Sequence, residues 1–307
     1  MTTSARKVSP LIGSACLAGL VVLSGVLAGC GSPDDHPATT RPPHGAAPAP
    51  SSPSTTPDPA AGRRIPPPPT LAPGPEGLTP VFERRPRSAA PTDEKVVALT
   101  FDADMTADEG DRAAAGERFD NPPLIALLRR LKVESTVFMT GRWAEEYPDQ
   151  ARAIGTDPTF EIANHSYSHY AFSSPCYGLP AVEKEEVRGE VERAFAAFRT
   201  AGARNVVPYF RFPGGCYDDE ALRALAPERV TAVQWDVVGG DAFATDADAV
   251  AEQVLEGVTP GSLVVLHCTR SAAPATEEAV RRIVPELRAR GYRFVKVSEL
   301  MRAAPGS

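Results

Sequence analysis

The stretch Lys95-Val96-Val97-Ala98-Leu99-Thr100-Phe101 opens the part of the chain that is expected to fold. It is a short apolar run rich in β-branched residues, which predicts a buried strand. From here onward such runs alternate with amphipathic helical segments. The further predicted strands lie at 135–139, 160–162, 206–212, 230–235, 262–266 and 294–297. About seven strand–helix units in succession predict an α/β fold with a parallel sheet, most simply a barrel.

The helices between these strands have their own start and stop signals. Asn121 precedes Pro122 and Pro123, which suits an N-cap followed by proline in the first helical turn. A longer helix is predicted over 181–201, where apolar residues recur at helical spacing and Gly202 ends the pattern. This apolar stripe predicts core packing and not a cofactor site.

The rarest polar residues of the folded part follow the predicted strands. In α/β barrels, catalytic side chains gather at the carboxyl ends of the strands. The candidates at these ends are Asp102, Asp104, His165, His169, Arg211, Asp236, Asp241 and His267. So many polar groups on one rim are improbable by accident, and the rim is therefore the predicted active site.

His165 and His169 indicate what kind of chemistry this rim performs. If the chain turns helically there, their spacing places both rings on one face, roughly 5–6 Å apart at Cβ. That separation suits two ligands of one divalent metal, and histidine is the usual nitrogen ligand of zinc. The alternative is a pair of polar residues in a surface turn. The chain has five histidines, and His36 and His44 fall in a segment that is not expected to fold, which favours the metal site.

Composition limits the possible folds and partners. The chain has 307 residues, 42% hydrophobic and 23% charged, which suffices for one large domain or two small ones. The formal net charge of -7 provides no basic surface for nucleic acid. Cysteine is too sparse for a disulfide scaffold. We expect a monomer that does not bind nucleic acid.

The first thirty residues predict an export signal. Arg6 and Lys7 form a positive segment, and Leu11 to Ala28 is an apolar run. The run ends in Leu27-Ala28-Gly29-Cys30, which resembles the bacterial lipoprotein signal, where cleavage before the cysteine leaves Cys30 bearing lipid. The alternative is a transmembrane anchor, for which the run is short. We expect a signal peptide at 1–29 and a protein lipid-anchored to the outer face of the cytoplasmic membrane, facing the cell wall.

A tether is predicted between Cys30 and residue 91. Proline, alanine, serine and threonine dominate this segment, and it has too few large apolar residues to offset the entropy of ordering. Its prolines favour extended conformations. Leu78-Thr79-Pro80-Val81-Phe82 could dock on the domain, and the sequence leaves this open. The folded domain is predicted over 92–303.

Five motifs of the folded part resemble a known enzyme family. They are Thr100-Phe101-Asp102, His165-Ser166-Tyr167-Ser168-His169, Arg211-Phe212-Pro213-Gly214-Gly215, Trp235-Asp236 and Leu266-His267. Their order is similar to that of the polysaccharide deacetylases, the NodB-homology or carbohydrate esterase family 4 enzymes. The resemblance covers about residues 92–303. It implies a distorted (β/α) barrel, a divalent metal, usually zinc, and hydrolysis of N-acetyl or sometimes O-acetyl groups on a glycan.

The resemblance also implies roles for individual residues. The two histidines of the His-x-x-x-His motif, here His165 and His169, would bind the metal. Asp102 would be the general base, and Arg211 would orient it. His267 would be the general acid that protonates the departing amine. The metal and the backbone amide of Tyr217 would stabilise the oxyanion.

Two of the motifs depart from the family pattern. The first usually has two adjacent aspartates, the second of them a metal ligand, but here residue 103 is alanine. Either Asp104 is the third ligand, which we favour, or the metal has only the two histidines and water. In the fourth motif, Val238 and Ala242 stand where an aspartate and a tryptophan are common. Asp236 or Asp241 would then orient His267.

Three cysteines follow the motifs of the rim. Cys176, Cys216 and Cys268 are odd in number, which in an exported protein predicts one disulfide and one free thiol. We expect Cys216 to pair with Cys268, because both lie on the rim. The alternative is a thiolate metal ligand.

The predicted protein is a surface-anchored, metal-dependent glycan deacetylase, with zinc as the leading candidate for the divalent metal. Its position facing the cell wall makes N-acetylglucosamine or N-acetylmuramic acid residues of peptidoglycan the leading substrates. The first alternative is an O-acetyl esterase on another polysaccharide. The second is a glycan-binding pseudoenzyme that has kept the barrel and lost the metal, as the residues at 103 and 238 allow.

Overall fold

The structure is a computed structural model that describes residues 67–86 and 94–302. The predicted signal peptide at 1–29, the lipidation site Cys30 and the tether up to residue 66 lie outside the described residues. Within 67–86 and 94–302, no helix is both long enough and apolar enough to cross a lipid bilayer.

In the described residues, nine strands form one parallel sheet. They are β1 (Val81–Phe82), β2 (Val96–Ala103), β3 (Ser135–Met139), β4 (Phe160–Asn164), β5 (Val206–Phe210), β6 (Thr231–Val233), β7 (Val237–Val238), β8 (Ser262–His267) and β9 (Arg293–Phe294). Their order is β1-β6-β5-β4-β3-β2-β8-β7, and β9 pairs with β2. The predicted α/β fold with a parallel sheet is confirmed.

The stretch from β6 to β7 closes the sheet into a distorted barrel. Its first part, β6, pairs with β1 and β5, whereas its second part, β7, pairs with β8. Between them, the Gln234 amide donates to the Phe82 carbonyl (2.9 Å) and the Asp236 amide donates to the Leu263 carbonyl (3.2 Å). One continuous stretch thus contacts both edges of the sheet. The strand predicted at 230–235 is split because it changes partners midway.

Nine helices connect and cover the strands in the part of the chain that is described. They are α1 (Gly110–Ala114), α2 (Pro122–Leu131), α3 (Gly141–Glu146), α4 (Pro148–Gly155), α5 (Val187–Ala201), α6 (Asp219–Leu225), α7 (Ala247–Gly257), α8 (Thr276–Ala289) and α9 (Val297–Arg302). Asn121 caps α2 as predicted, since its side chain accepts from the Leu124 amide (3.2 Å). Gly202 ends α5 in the left-handed conformation, with φ 84°. Pro148 separates α3 from α4, because proline disfavours helical backbone in the residue before it.

Side chains alternate between the inner and outer faces of the barrel strands. Along β2, Ala98 belongs to the apolar cluster inside the barrel, whereas Val97 and Leu99 belong to the cluster beneath the outer helices. Ala163 on β4 and Tyr209 on β5 also point inward. Asp102, His165 and Arg211 lie two or four positions further along these chain segments, and they therefore point into the mouth of the barrel.

Residues 67–86 belong to the barrel and not to a tether. Phe82 of β1 is buried in the inner cluster. Arg85 is also buried and pairs with Glu94 (2.8 Å). The predicted extent of the tether to residue 91 is therefore wrong for this segment. A two-residue strand among prolines has no hydrophobic periodicity from which it could be predicted.

Replacing Phe82 should show whether this segment stabilises the domain. We expect Phe82→Ala to lower the free energy of unfolding by about 3 kcal/mol, because it leaves a cavity inside the barrel. The matched control is the exposed neighbour Glu83, whose replacement by alanine should change stability by less than about 0.5 kcal/mol. Urea unfolding of both variants measures the difference. Equal stability of the two would contradict the assignment of β1 to the core.

Candidate active site

The end of β2 carries two carboxylates on the same side of the strand. Asp102 points inward, and its carboxylate accepts from the buried Arg211 guanidinium (2.5 Å). Asp104 lies two positions further on, while Ala103 between them packs into the outer apolar cluster. The Asp104 amide donates to the Thr269 hydroxyl (2.9 Å), which fixes the backbone there. The alternation of the strand is therefore why residue 104, and not residue 103, reaches the site.

Arg211 holds Asp102 in one orientation. Its Nε donates to the Val233 carbonyl (3.1 Å), and its guanidinium carbon lies 3.8 Å from the centroid of the Phe138 ring. Burial lowers the pKa of Arg211, although Asp102 opposes this. The second oxygen of Asp102 stays directed at the histidines, 3.6 Å from His165 Nε2.

The two histidines after β4 converge on Asp104. His165 Nδ1 donates to the Arg211 carbonyl (2.9 Å), which leaves Nε2 without a proton in the neutral ring. That Nε2 lies 3.4 Å from Asp104 Oδ1, and His169 Nε2 lies 3.8 Å from the same oxygen. The predicted trio Asp104, His165 and His169 is thus brought together.

This trio fits a divalent metal. Its three ligand atoms lie within 4.8 Å of one another. Ligands about 2.0–2.2 Å from a tetrahedral zinc would be roughly 3.3–3.6 Å apart, close to the contacts of Asp104. Asp104 Oδ1 is buried and has no hydrogen-bond partner among the described residues. A buried carboxylate oxygen without a donor is costly unless a cation binds it.

The protonation of the trio also suits a cation. Burial lowers the pKa of His169 to about 4, although Asp104 opposes this, so this ring is neutral at pH 7. Burial would lower the pKa of His165 too, but the charges of Asp102 and Asp104 outweigh it and raise that pKa. In Asp104, burial acts to raise the pKa, but the surrounding histidines hold it well below its usual range. The carboxylate is therefore ionised, and protons compete with a cation mainly at His165.

His267 faces the trio from the end of β8. Its Nδ1 donates to Asp241 Oδ1 (2.9 Å), and its Nε2 lies 3.8 Å from Asp104 Oδ2. The other Asp241 oxygen accepts from the Thr276 hydroxyl (2.6 Å). Burial would lower the pKa of His267, but the Asp241 hydrogen bond and the charge of Asp104 raise it to about 10. The ring therefore carries a proton on Nε2 at neutral pH in the metal-free chain.

Asp236 is not part of this cluster. Its carboxylate accepts from the Ser262 hydroxyl (2.9 Å) and the Leu263 amide (2.7 Å), and it pairs with Arg84 (3.0 Å). Asp236 thus joins the segment that follows β1 to the start of β8, at the closure of the barrel. Its predicted role beside His267 is wrong, and Asp241 is the residue that contacts the ring.

Tyr217 lies after the turn that follows β5. Its ring stacks on Phe212, with 5.2 Å between the centroids. Among the described residues, no protein acceptor receives a hydrogen bond from its backbone amide. The role of this amide as an oxyanion donor stays a prediction.

The disulfide differs from the predicted one. Cys176 pairs with Cys216, whereas Cys268 is buried and free. The predicted Cys216–Cys268 pair is wrong because Cys268 follows the inward-facing His267 and so turns into the outer apolar cluster. Burial raises the pKa of the Cys268 thiol, which does not suit a thiolate ligand. The observed disulfide joins the loop after β4 to the turn after β5.

One residue that supports the site was not found from the sequence. Glu190 of α5 accepts hydrogen bonds from the Tyr167 and Ser168 amides (3.0 and 2.8 Å), in the loop between the two histidines. A single glutamate in an amphipathic helix reads as part of the solvent-exposed face, so the sequence contains no signal for this contact.

The comparison with known families points to one of them. The model of the polysaccharide deacetylase family matches residues 89–233. This range contains Asp102, Asp104, both histidines of the trio and Arg211, whereas Asp241 and His267 lie beyond it.

Curated proteins and a solved structure are similar to this chain. A chitooligosaccharide deacetylase of Sinorhizobium fredii is 29% identical over 181 residues, which cover 56% of this chain and 80% of that protein. A peptidoglycan-N-acetylglucosamine deacetylase of Bacillus cereus is 28% identical over 215 residues, with 69% and 91% covered. The crystal structure of a peptidoglycan N-acetylglucosamine deacetylase superposes with a TM-score of 0.59 at 25% identity, covering 76% of this chain and 96% of that one.

Proposed function

Since the chain belongs to the polysaccharide deacetylase family, a class of hydrolases, we propose that it removes N-acetyl groups from an extracellular glycan in a metal-dependent reaction. The leading substrate is peptidoglycan, with N-acetylglucosamine or N-acetylmuramic acid residues as the sites of attack. The deacetylase activities named for the relatives support this substrate class, and so does the predicted export signal.

The observation that carries the proposal is the arrangement of Asp104 with His165 and His169. The alanine at 103 raised the possibility of a pseudoenzyme without metal. Asp104 instead supplies a buried, unpartnered oxygen 3.4 and 3.8 Å from the two Nε2 atoms. These three residues would hold the cation, and zinc is the proposed ion because two imidazoles and one carboxylate are typical of catalytic zinc sites. When bound, such a cation supplies Lewis acidity toward an acetyl carbonyl and toward water.

The remaining residues divide the proton transfers between them. Asp102 is held by Arg211 through one oxygen, and its free oxygen accepts the proton of the attacking water. The water oxygen bonds to the acetyl carbon, the carbon–nitrogen bond breaks, and acetate leaves. His267 Nε2 donates its proton to the departing amine. Asp241 keeps that ring in the tautomer and orientation which this transfer needs.

Acetate release from defined substrates tests the proposal. The purified chain, loaded with zinc, should release acetate from N-acetylated chito-oligomers or from peptidoglycan and leave a free amine on the sugar. Acetate release from O-acetylated polysaccharide without new amine would favour the esterase alternative. A chain that holds zinc and binds glycan but releases no acetate would be the binding protein instead.

Exposed aromatic side chains on the rim support a glycan as the substrate. Tyr177 and Phe243 are 89% and 84% exposed, and both have left-handed backbone, with φ 46° and 59°. Tyr177 follows the cysteine that is bonded to Cys216, and Phe243 comes two residues after Asp241. Bulky residues adopt this backbone rarely, and such residues occur at turns and are enriched at functional sites. Flat apolar rings on a catalytic rim suit stacking against sugar rings.

Removing either ring should weaken substrate binding and leave the chemistry intact. We expect Tyr177→Ala and Phe243→Ala each to raise KM for long chito-oligomers about fivefold, equivalent to about 1 kcal/mol of ring contact. Neither residue touches the catalytic cluster, so kcat should stay within about twofold. Tyr177→Phe retains the ring and is the control. Steady-state kinetics measure KM and kcat of the variants. An unchanged KM in both alanine variants would contradict a role of these two residues in substrate binding.

The proposed location is the outer face of the cytoplasmic membrane, with Cys30 lipidated. We expect metabolic labelling with a lipid precursor to mark the protein, and Cys30→Ala to abolish the label because the acceptor thiol is gone. Cys268→Ala leaves the signal sequence intact and is the control. Undiminished labelling of Cys30→Ala would refute the anchor.

A further inference from the structure

The loop from His165 to His169 has a backbone that does not form readily by itself. Ser166 and His169 both lie in the left-handed region, with φ 66° and 59°. Residues other than glycine are uncommon there and persist only where their surroundings hold them. Within the loop, the His169 amide donates to the Ser166 hydroxyl (3.0 Å), and the other contacts that hold both rings toward Asp104 come from outside it.

Two helices hold this loop from opposite sides. At the start of α3, the Gly141 and Arg142 amides donate to the Ser166 and Tyr167 carbonyls, each at 3.0 Å. A side chain at Gly141 would collide with the Tyr167 ring, since a Cβ built there lies 2.5 Å from Tyr167 Cδ2. The carbonyl groups of the loop are thus fixed by α3, at a contact that only glycine permits.

The amides of the loop are fixed by one carboxylate oxygen of α5. Glu190 Oε2 accepts from the Tyr167 amide (3.0 Å), the Ser168 amide (2.8 Å) and the Ser168 hydroxyl (2.8 Å). Glu190 Oε1 pairs with Arg193 (2.5 Å), whose guanidinium carbon lies 4.3 Å from the centroid of the Tyr167 ring. Glu190 is 3% exposed, although charged side chains are seldom buried unless they are paired.

The packing of α5 does not depend on this carboxylate. Val191, Ala194 and Phe198 are fully buried on the apolar face of the helix. What the carboxylate adds is a set of three hydrogen bonds, all of them directed at the segment between the two histidines. Glu190 therefore acts on the position of the rings and not on the attachment of the helix.

We propose that Glu190 is a positioning residue which sets the affinity of the His165–His169 pair for a divalent cation without touching the cation. The proposal rests on the proposed function, because it requires the trio to be a metal site. Residues that hydrogen-bond to metal ligands and orient them typically lower metal affinity about 10–100-fold when they are replaced. Glu190 does so through the backbone of the loop and not through a ring nitrogen.

Zinc affinity of the full chain, measured by competition with a chromophoric chelator, tests the proposal. Glu190→Ala, and the volume-matched Glu190→Met, should weaken zinc binding about 10–100-fold. Glu190→Gln should stay within about threefold of the wild type, because its amide oxygen still accepts hydrogen bonds from the Tyr167 and Ser168 amides. Arg193→Ala is the matched control. It removes the ion pair and the ring contact but leaves Oε2 in place, and it should also stay within about threefold.

The outcomes separate this inference from the proposed function. Wild-type zinc affinity in Glu190→Ala or Glu190→Met overturns the inference alone. Loss in Glu190→Gln as large as in Glu190→Ala also overturns it, because charge and not hydrogen bonding would then be responsible. A wild-type chain without zinc affinity overturns the proposed function and this inference with it.

Amide hydrogen exchange of the metal-free wild type provides a readout that needs no variant. The Tyr167 and Ser168 amides should be protected before any zinc is added, since Glu190 already binds them. Rapid exchange at both amides in the metal-free chain would overturn the inference. A merely structural role of Glu190 would lower the melting temperature without changing the zinc affinity of the folded protein.

Discussion

Asp104→Ala is expected to lower the zinc affinity of the chain by at least about 100-fold. This loss is larger than the loss typical for residues that only hydrogen-bond to the ligands. In this variant the cation would have two imidazole ligands instead of three ligands, because Asp104 is the only carboxylate of the trio. The rate of acetate release should also fall, by at least about 100-fold at limiting zinc. The bound cation, acting as a Lewis acid, stabilises the transition state by several kcal/mol. Calorimetric titration and acetate assays measure both effects. The matched control is Asp108→Ala, which replaces an exposed aspartate four positions further along the chain.

Moving the carboxylate back to position 103 should not rescue the variant. Ala103 is fully buried in the outer apolar cluster, on the face of β2 opposite to the site. Ala103→Asp combined with Asp104→Ala should therefore stay without zinc. It should also lose at least about 3 kcal/mol of stability, because a carboxylate would be buried without a partner. Full zinc affinity in Asp104→Ala, or its recovery in the double variant, would contradict the assignment of Asp104 as a ligand.

His267→Ala is expected to lower kcat about 10²–10⁴-fold, the usual contribution of a general acid. Zinc affinity should change little, because His267 is not one of the three ligands. The contrast with Asp104→Ala distinguishes proton transfer from metal binding. Zinc-saturated kinetics on chito-oligomers provide the measurement, and a loss of zinc from His267→Ala would instead make this ring a ligand.

The pH dependence tests the same assignment with a conservative change. A general acid works only while protonated, so the rate should fall as the pH rises through the His267 pKa. That pKa is raised from 6.5 to about 10 in the metal-free chain. A bound cation offsets the charge of Asp104 and lowers the value, so the alkaline limb should lie between these two limits. Asp241→Asn removes the supporting charge and should move this limb at least about one unit lower. Superimposable profiles would exclude Asp241 from this role.

The sequence predicted the parts of the fold that depend on local pattern. Buried strands such as β2 and β8 are continuous apolar runs, and helix ends such as Asn121 and Gly202 are marked by single residues. β1 could not be predicted, because its two residues pair with a strand about 150 positions later in the chain, and no local sequence pattern indicates that pairing. For the same reason, Arg85 appeared to be a charged residue of a linker, although it is buried.

The candidate site was predictable to the extent that strand ends and motifs define it. Asp102, Arg211 and His267 meet because each lies at the end of a strand, at a position whose side chain points to the inside of the barrel. The disulfide and the role of Asp236 could not be predicted, since both depend on which way a loop turns after its strand. The role of Glu190 could not be predicted from the sequence. Its partners are backbone amides, which every residue except proline has, so no residue type in the sequence indicates the contact.

The closure of the barrel has a consequence for how the protein is made. Val81 pairs with Ala232, and Leu99 pairs with Val264, so both seams of the cylinder join early residues to late ones. A nascent chain therefore stays open until residues near 267 have emerged, because pairing of distant segments must await both partners. Under the proposed export, a polypeptide of this connectivity remains open enough to thread through a secretion channel until residues near 267 have been made, and it closes into a cylinder only afterwards.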